Sequence, residues 1–136
     1  MSEKYLLDTQ IWIDHYLKRE PFAETALKLI LKTIKEDSII IFSNFNEKEM
    51  KDVGLSSDEI NSLLSIIKPD HIKRVSVTKS QFEEAKRLAR QRDIPLGDTI
   101  HALLARDHEA QLVSRDEKDF RKLKDVAIMA EPKDLV

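Results

Sequence analysis

The stretch IPLGDTIHALLARDHEAQLVSRDEKDF, Ile94 to Phe120, contains in one run the pieces from which the fold can be read. Pro95 and Gly97 mark a turn, Gly97-Asp98-Thr99 reads as a helix N-cap, and an apolar helix follows over Asp98–Asp107. Ile100, Leu103 and Leu104 fall on one face of that helix at a period of about 3.6, with Asp98, His101, Ala102 and Ala105 on the other. Bulky residues on one side and small ones on the other describe a helix covered on both sides, which brings Asp98 close to buried surface. Gln111-Leu112-Val113-Ser114 is then a short strand, and Ser114-x-x-Glu117 reads as a capping box for a further helix. Helix, strand, acidic loop is the resulting order.

Working outward, the same grammar recurs. Lys4-Tyr5-Leu6-Leu7 is a short apolar strand ending at Asp8-Thr9, where a helix carrying Ile11, Trp12, Tyr16 and Leu17 begins. Pro21 suits the first turn of the next helix, whose expected core positions are Ala23, Ala26, Leu27, Ile30, Leu31 and Ile34. Ile39-Ile40-Ile41-Phe42 is a continuous apolar run of the kind found in parallel strands buried on both faces. A helix follows Ser43-Asn44 and stops at Gly54, and another runs from Ser56-Ser57 with Ile60, Leu63, Leu64 and Ile67 inward. Ile72–Val77 is a third strand, and Thr78-x-x-Gln81 opens a helix reaching Arg92 with Phe82, Ala85, Leu88 and Ala89 as its apolar positions. A short fifth strand is expected over Val126–Met129. Strands alternating with helices predict one domain, residues 1–136, of α/β class: three layers, α/β/α, around a central parallel sheet of about four to five strands.

Bulk properties narrow the function. A chain of 136 residues with 41% hydrophobic and 35% charged residues is a helix-rich globular domain rather than a disordered one. The formal net charge of -2 gives no overall footprint for nucleic acid, so any such contact must be local. The absence of cysteine removes disulfides, thiolate zinc sites and cysteine nucleophiles together. Neither a signal peptide nor a membrane-spanning run is present, so a cytoplasmic protein with no membrane association is expected. Gly54 and Gly97 are isolated, which disfavours a glycine-rich nucleotide loop.

The acids are what remains to be explained. Sites in open parallel sheets form outside the carboxyl ends of the strands. Asp8 follows the first strand and Asp116 the fourth, so both belong to that edge. Glu49 lies within the inward stripe set by Phe45, Met50 and Val53, whereas Glu47 points well away from it at about 100° per residue; Glu47 stays as the alternative. Asp8, Glu49, Asp98 and Asp116 can thus share one crevice, with Asp119 a turn further on and able to exchange roles with Asp116. Carboxylates held together repel unless a positive group sits among them, and an all-oxygen ligand set selects Mg²⁺ or Mn²⁺. Such ions activate water and stabilise the leaving oxygen in phosphodiester hydrolysis. Thr9, Ser43 and Ser114 stand beside these acids, where their hydroxyls either assist substrate or serve local caps.

These residues resemble the PIN-domain nucleases, and among them the small VapC-like toxin ribonucleases of prokaryotic toxin–antitoxin pairs. The resemblance runs through Tyr5-Leu6-Leu7-Asp8-Thr9, Phe42-Ser43 to Glu49, Gly97-Asp98-Thr99-Ile100-His101-Ala102, and Leu112-Val113-Ser114-Arg115-Asp116 with Asp119-Phe120. Asn46 stands where the family often carries Thr, three residues before the acid. The resemblance implies an Mg²⁺/Mn²⁺-dependent endoribonuclease with Asp8, Glu49, Asp98 and Asp116 as metal-site acids and Asp119 as a further ligand. It also implies an RNA substrate, an antitoxin partner and a homodimer. The rival expectation is a PIN-like module that binds or processes RNA outside a toxin pair, with or without cutting. His15, His71, His101 and His108 show no zinc spacing, and the default for each is a packed or surface histidine, although His101 shares a face with Asp98. Lys79, Lys86 and Arg90 could track an RNA backbone, but Glu83 and Glu84 within pairing distance favour a solvated ion-pair face.

Overall fold

Hydrophobic alternation along three short strands divides the core of the molecule into two layers. In the computed structural model, which describes residues 3–136, β1 (Lys4–Leu7) sends Tyr5 and Leu7 to one side of the sheet and Leu6 to the other. β2 (Ile39–Ser43) does the same with Ile40 and Phe42 against Ile41. β4 (Gln111–Val113) opposes Leu112 to Val113. Strands buried on both faces need helices on both faces.

One layer is formed by α1 (Thr9–Tyr16), α2 (Phe22–Lys35), α3 (Asn44–Asp52) and α4 (Ser57–Leu64). Trp12 of α1 is fully buried there, edge-on to Phe42 with ring centroids 5.8 Å apart. The other layer holds α5 (Lys79–Arg92), α6 (Leu96–Asp107) and the short α7 (Glu117–Phe120). β3 (Ile72–Val75), β5 (Met129–Ala130) and a final turn of helix, α8 (Pro132–Leu135), complete the elements used below.

All pairings are parallel, in the order β3-β2-β1-β4-β5. The chain builds outward from β1 to β3, then returns to the other side of β1 with β4. The order therefore reverses between β1 and β4, and the crevice at their carboxyl ends is where a parallel sheet leaves room for a site. Asp8 and Ser114 are the first residues beyond those two strands.

The three-layer parallel architecture with five strands is as expected from the sequence, and α6 is buried on both faces from Thr99 to Ala105. Several local readings are displaced. Leu27 and Leu31 of α2 are 39% and 53% exposed, while Leu29 and Thr33 face inward with Ala23, Ala26 and Ile30. Two adjacent apolar stripes lie on that helix, and packing on α1 selects one of them. Val53, expected on the inward stripe of α3, is exposed because the helix has ended and the chain turns through Gly54 at φ +105°. The last strand is Met129–Ala130 rather than Val126–Met129, since the amides of Val126 and Ala127 are taken by the Leu123 carbonyl in a turn.

Candidate active site

Three segments converge on the crevice between β1 and β4, and each is locked by a local device. The first is the end of β2. Ser43 caps α3 by accepting from the Asn46 amide at 2.9 Å, and the Asn46 side chain accepts in return from the Ser43 amide at 3.0 Å. The Asn46 Nδ2 group then reaches across to donate to the Leu7 carbonyl (3.3 Å) and the Thr9 hydroxyl (2.8 Å). One buried amide thus ties together β2, β1 and the start of α1. The Asn46 departure from the family pattern is therefore a working part, and the Ser43 hydroxyl is spent on the cap.

Three residues along α3, Glu49 receives the Thr9 hydroxyl at 2.7 Å through Oε1. The same oxygen lies 2.7 Å from His101 Nε2, and His101 in turn stands 3.7 Å from Asp8 Oδ1. Glu47 points to the surface and pairs with Lys51. Gly97 makes the approach of α6 possible: a Cβ there would come within 3.2 Å of Glu49 Oε2 and 3.4 Å of the Phe45 ring.

The second segment is the N-terminus of α6. The helix begins at Leu96 with Pro95 at the cap position, so Asp98 is a first-turn residue and not the N-cap expected from Gly97-Asp98-Thr99. Pro95 has no amide to lose and its carbonyl takes both the amide and the hydroxyl of Thr99, which starts the helix earlier. His101 follows Asp98 by three residues on the same face and is completely enclosed. It is the site residue that sequence reasoning left as ordinary packing; the spacing from Asp98 was the available signal.

The third segment is the loop after β4. Ser114 does not cap the next helix through Glu117; its hydroxyl donates to Asp8 Oδ2 at 3.0 Å and accepts the Asp116 amide at 3.0 Å. Asp116 itself is the N-cap of α7, accepting from the Asp119 amide at 3.4 Å. Carboxylate oxygens of Asp98, Asp116 and Asp119 all lie within 4.8 Å of one another.

The electrostatics follow from this crowding. Burial, then the charges of Asp8, Asp116 and Asp119, push the Asp98 carboxyl up to about 7. Burial also raises Asp8, against the lowering influence of His101 and the Ser114 hydrogen bond. Burial opposes the imidazolium of His101, yet the Glu49 hydrogen bond and the charges of Asp8, Glu49 and Asp98 outweigh it and raise His101. Glu49 is held below its ordinary value: burial raises it, but its contacts with His101 and Thr9 prevail. The oxygen-only triad fits a hard dication, around which ligand oxygens stand about 3 to 4 Å apart at Mg²⁺ bond lengths.

A family model described as the PIN domain matches residues 5–126. This chain belongs to the PIN domain family. Solved structures with the same fold include a toxin–antitoxin complex from Klebsiella pneumoniae, at 20% identity over 94% of this chain and 97% of that one, with a TM-score of 0.67. VapBC2 from Rickettsia felis, bound to a DNA fragment from its promoter, is 20% identical over 94% and 98% of the two chains with a TM-score of 0.64. FitAcB from Neisseria gonorrhoeae is 21% identical over 95% and 98%, with a TM-score of 0.62. Identities this low carry the fold alone. No curated protein gives a significant sequence match. The PIN domain here thus presents Asp8, Asp98, Asp116 and Asp119 on one edge, with Glu49 joined to them through His101.

Proposed function

We propose that this PIN domain is an Mg²⁺- or Mn²⁺-dependent endoribonuclease that hydrolyses RNA phosphodiester bonds, and that it acts in the cytoplasm as the toxin of a toxin–antitoxin pair. The observation that carries the reading is the triad Asp98, Asp116 and Asp119, whose oxygens gather within 4.8 Å beside the buried Asp8. These side chains would hold the cation, with Asp8 oriented by Ser114. Bound there, a hard dication supplies an activated water and charge neutralisation for the phosphodiester. Glu49 and His101 hold a proton at Nε2 beside Asp8, a position from which charge in the crevice is balanced without a lysine. The Thr9 hydroxyl fixes Glu49 in that orientation.

The toxin assignment is supported by the similarity to proteins from toxin–antitoxin complexes, and an antitoxin would be the partner. Exposed Leu27 and Leu31, one turn apart on α2, support pairing of two copies into a homodimer. No helix among the described residues is long and apolar enough to cross a membrane.

The test is cleavage of a structured RNA, and of DNA of the same sequence, with Mg²⁺ or Mn²⁺ and with chelator, alongside Asp8→Asn and Asp98→Asn. Metal-dependent cutting of RNA that both substitutions abolish is expected. Equal cleavage by the wild type and both variants would sink the reading. A non-catalytic RNA-binding module would instead show RNA retention with no Mn²⁺ heat in calorimetry.

A further inference from the structure

Asp14, on α1, is 1% exposed and lies outside the acidic triad. A carboxylate buried to that degree must be paired, and one cation is enough for neutrality. Two arginines reach it. Arg19 Nη2, from the turn after α1, lies 2.7 Å from Asp14 Oδ1. Arg115 grips it with a fork, Nε to Oδ2 at 2.8 Å and Nη2 to Oδ1 at 3.2 Å. Its guanidinium carbon also sits 4.0 Å from the centre of the Phe22 ring, so the plane of the fork is fixed on its face as well as its edge.

The place of Arg115 in the chain makes the second cation informative. Its neighbours on either side look into the crevice: Ser114 bonds Asp8, and Asp116 belongs to the acidic triad. Arg115 turns the other way, toward α1 and α2. The loop is thereby clamped from both sides at consecutive residues. A bidentate, stacked arginine restrains direction as well as distance, which a lone charge does not.

We propose that Arg115, anchored on Asp14, is a positioning residue that holds Asp116 and Asp119 in their cation-binding arrangement. The proposal rests on the metal-centre reading given under Proposed function. Arg19 shares the same buried acid but no part of the acidic loop, and supplies the comparison that a purely structural role would fail.

The experiment is Mn²⁺ titration by calorimetry on the purified full chain, with thermal melting in chelator measured beside it. Arg115→Ala leaves Asp14 paired with Arg19, so the variant folds, and its Mn²⁺ affinity is expected to fall by about tenfold or more, as for loss of groups that orient metal ligands. Arg19→Ala is expected to lower the melting temperature while leaving Mn²⁺ affinity within about twofold of wild type, far short of the losses that follow when a group orienting metal ligands is removed. Arg115→Lys keeps the charge near Asp14 without the fork, and gives an intermediate loss; it also serves if the alanine variant proves insoluble. Mn²⁺ affinity unchanged in both Arg115 variants, or weakened equally by Arg19→Ala, overturns the positioning role alone. A wild type that binds no Mn²⁺ overturns the metal centre, and this inference with it.

Discussion

The two halves of the crevice solve the same electrostatic problem differently. On the side of β1 and α3, the carboxylates of Asp8 and Glu49 share a buried imidazole, and Thr9, Asn46 and Ser114 supply hydrogen bonds to them or to each other. On the side of α6 and α7, Asp98, Asp116 and Asp119 gather with no lysine or arginine paired to any of them among the described residues, and Asp98 is pushed up to about 7. The first half is balanced by the protein's own groups. The second is a charge deficit built into the fold, and a dication is what would relieve it.

The sharpest way to break the first half is Asn46→Ala. Asn46 is fully buried, completes the α3 cap and bonds both Leu7 and Thr9, so its loss leaves several polar groups unpaired. Urea unfolding in chelator is expected to show a loss of about 2 kcal/mol.

The second half can be sharpened through pH. In the metal-free protein Asp98 titrates near 7, above its ordinary value, so the folded state is favoured with this carboxyl protonated and loses that advantage as pH rises through about 7. Asp98→Asn should therefore melt with the wild type at about pH 4 and above it at about pH 8, because the amide removes a charge that only the folded state finds costly. Adding Mn²⁺ at the higher pH should stabilise the wild type and not the variant. A melting difference independent of pH would show that Asp98 is not crowded by the neighbouring acids.

The smallest effect is expected at Glu47. It pairs with Lys51 on an exposed helical turn, outside both halves, so Glu47→Gln should change stability by less than about 0.5 kcal/mol and leave Mn²⁺ affinity alone. Loss of Mn²⁺ affinity in Glu47→Gln, measured by calorimetry, would move the boundary of the site to the helix surface.

Much of this architecture is legible in the residues themselves. The Ile39–Phe42 run and the Tyr5-Leu6-Leu7 run are continuous and apolar, the pattern of a parallel strand covered on both faces. Thr78 and Ser56 carry their capping partners three residues on, and the helices begin where those pairs stand. Caps with competing donors were not legible. Ser114 has a glutamate at the right spacing, yet its hydroxyl is drawn to Asp8, a residue 106 positions away in the chain. Likewise α2 offers two apolar stripes, and only its packing against α1 and α8 decides that Leu29 rather than Leu27 is covered.

By itself the sequence determined the layers, the parallel order of strand and helix, and which acids follow which strands, because periodicity and capping act over a few residues. Tertiary structure decided that His101 is enclosed between Asp8 and Glu49, that Asn46 joins β1 to β2, and that Arg115 turns its back on the acids to grip Asp14. Those contacts depend on the field and shape of groups brought together from distant parts of the chain, and charge acting through space carries no sequence period by which it could be read.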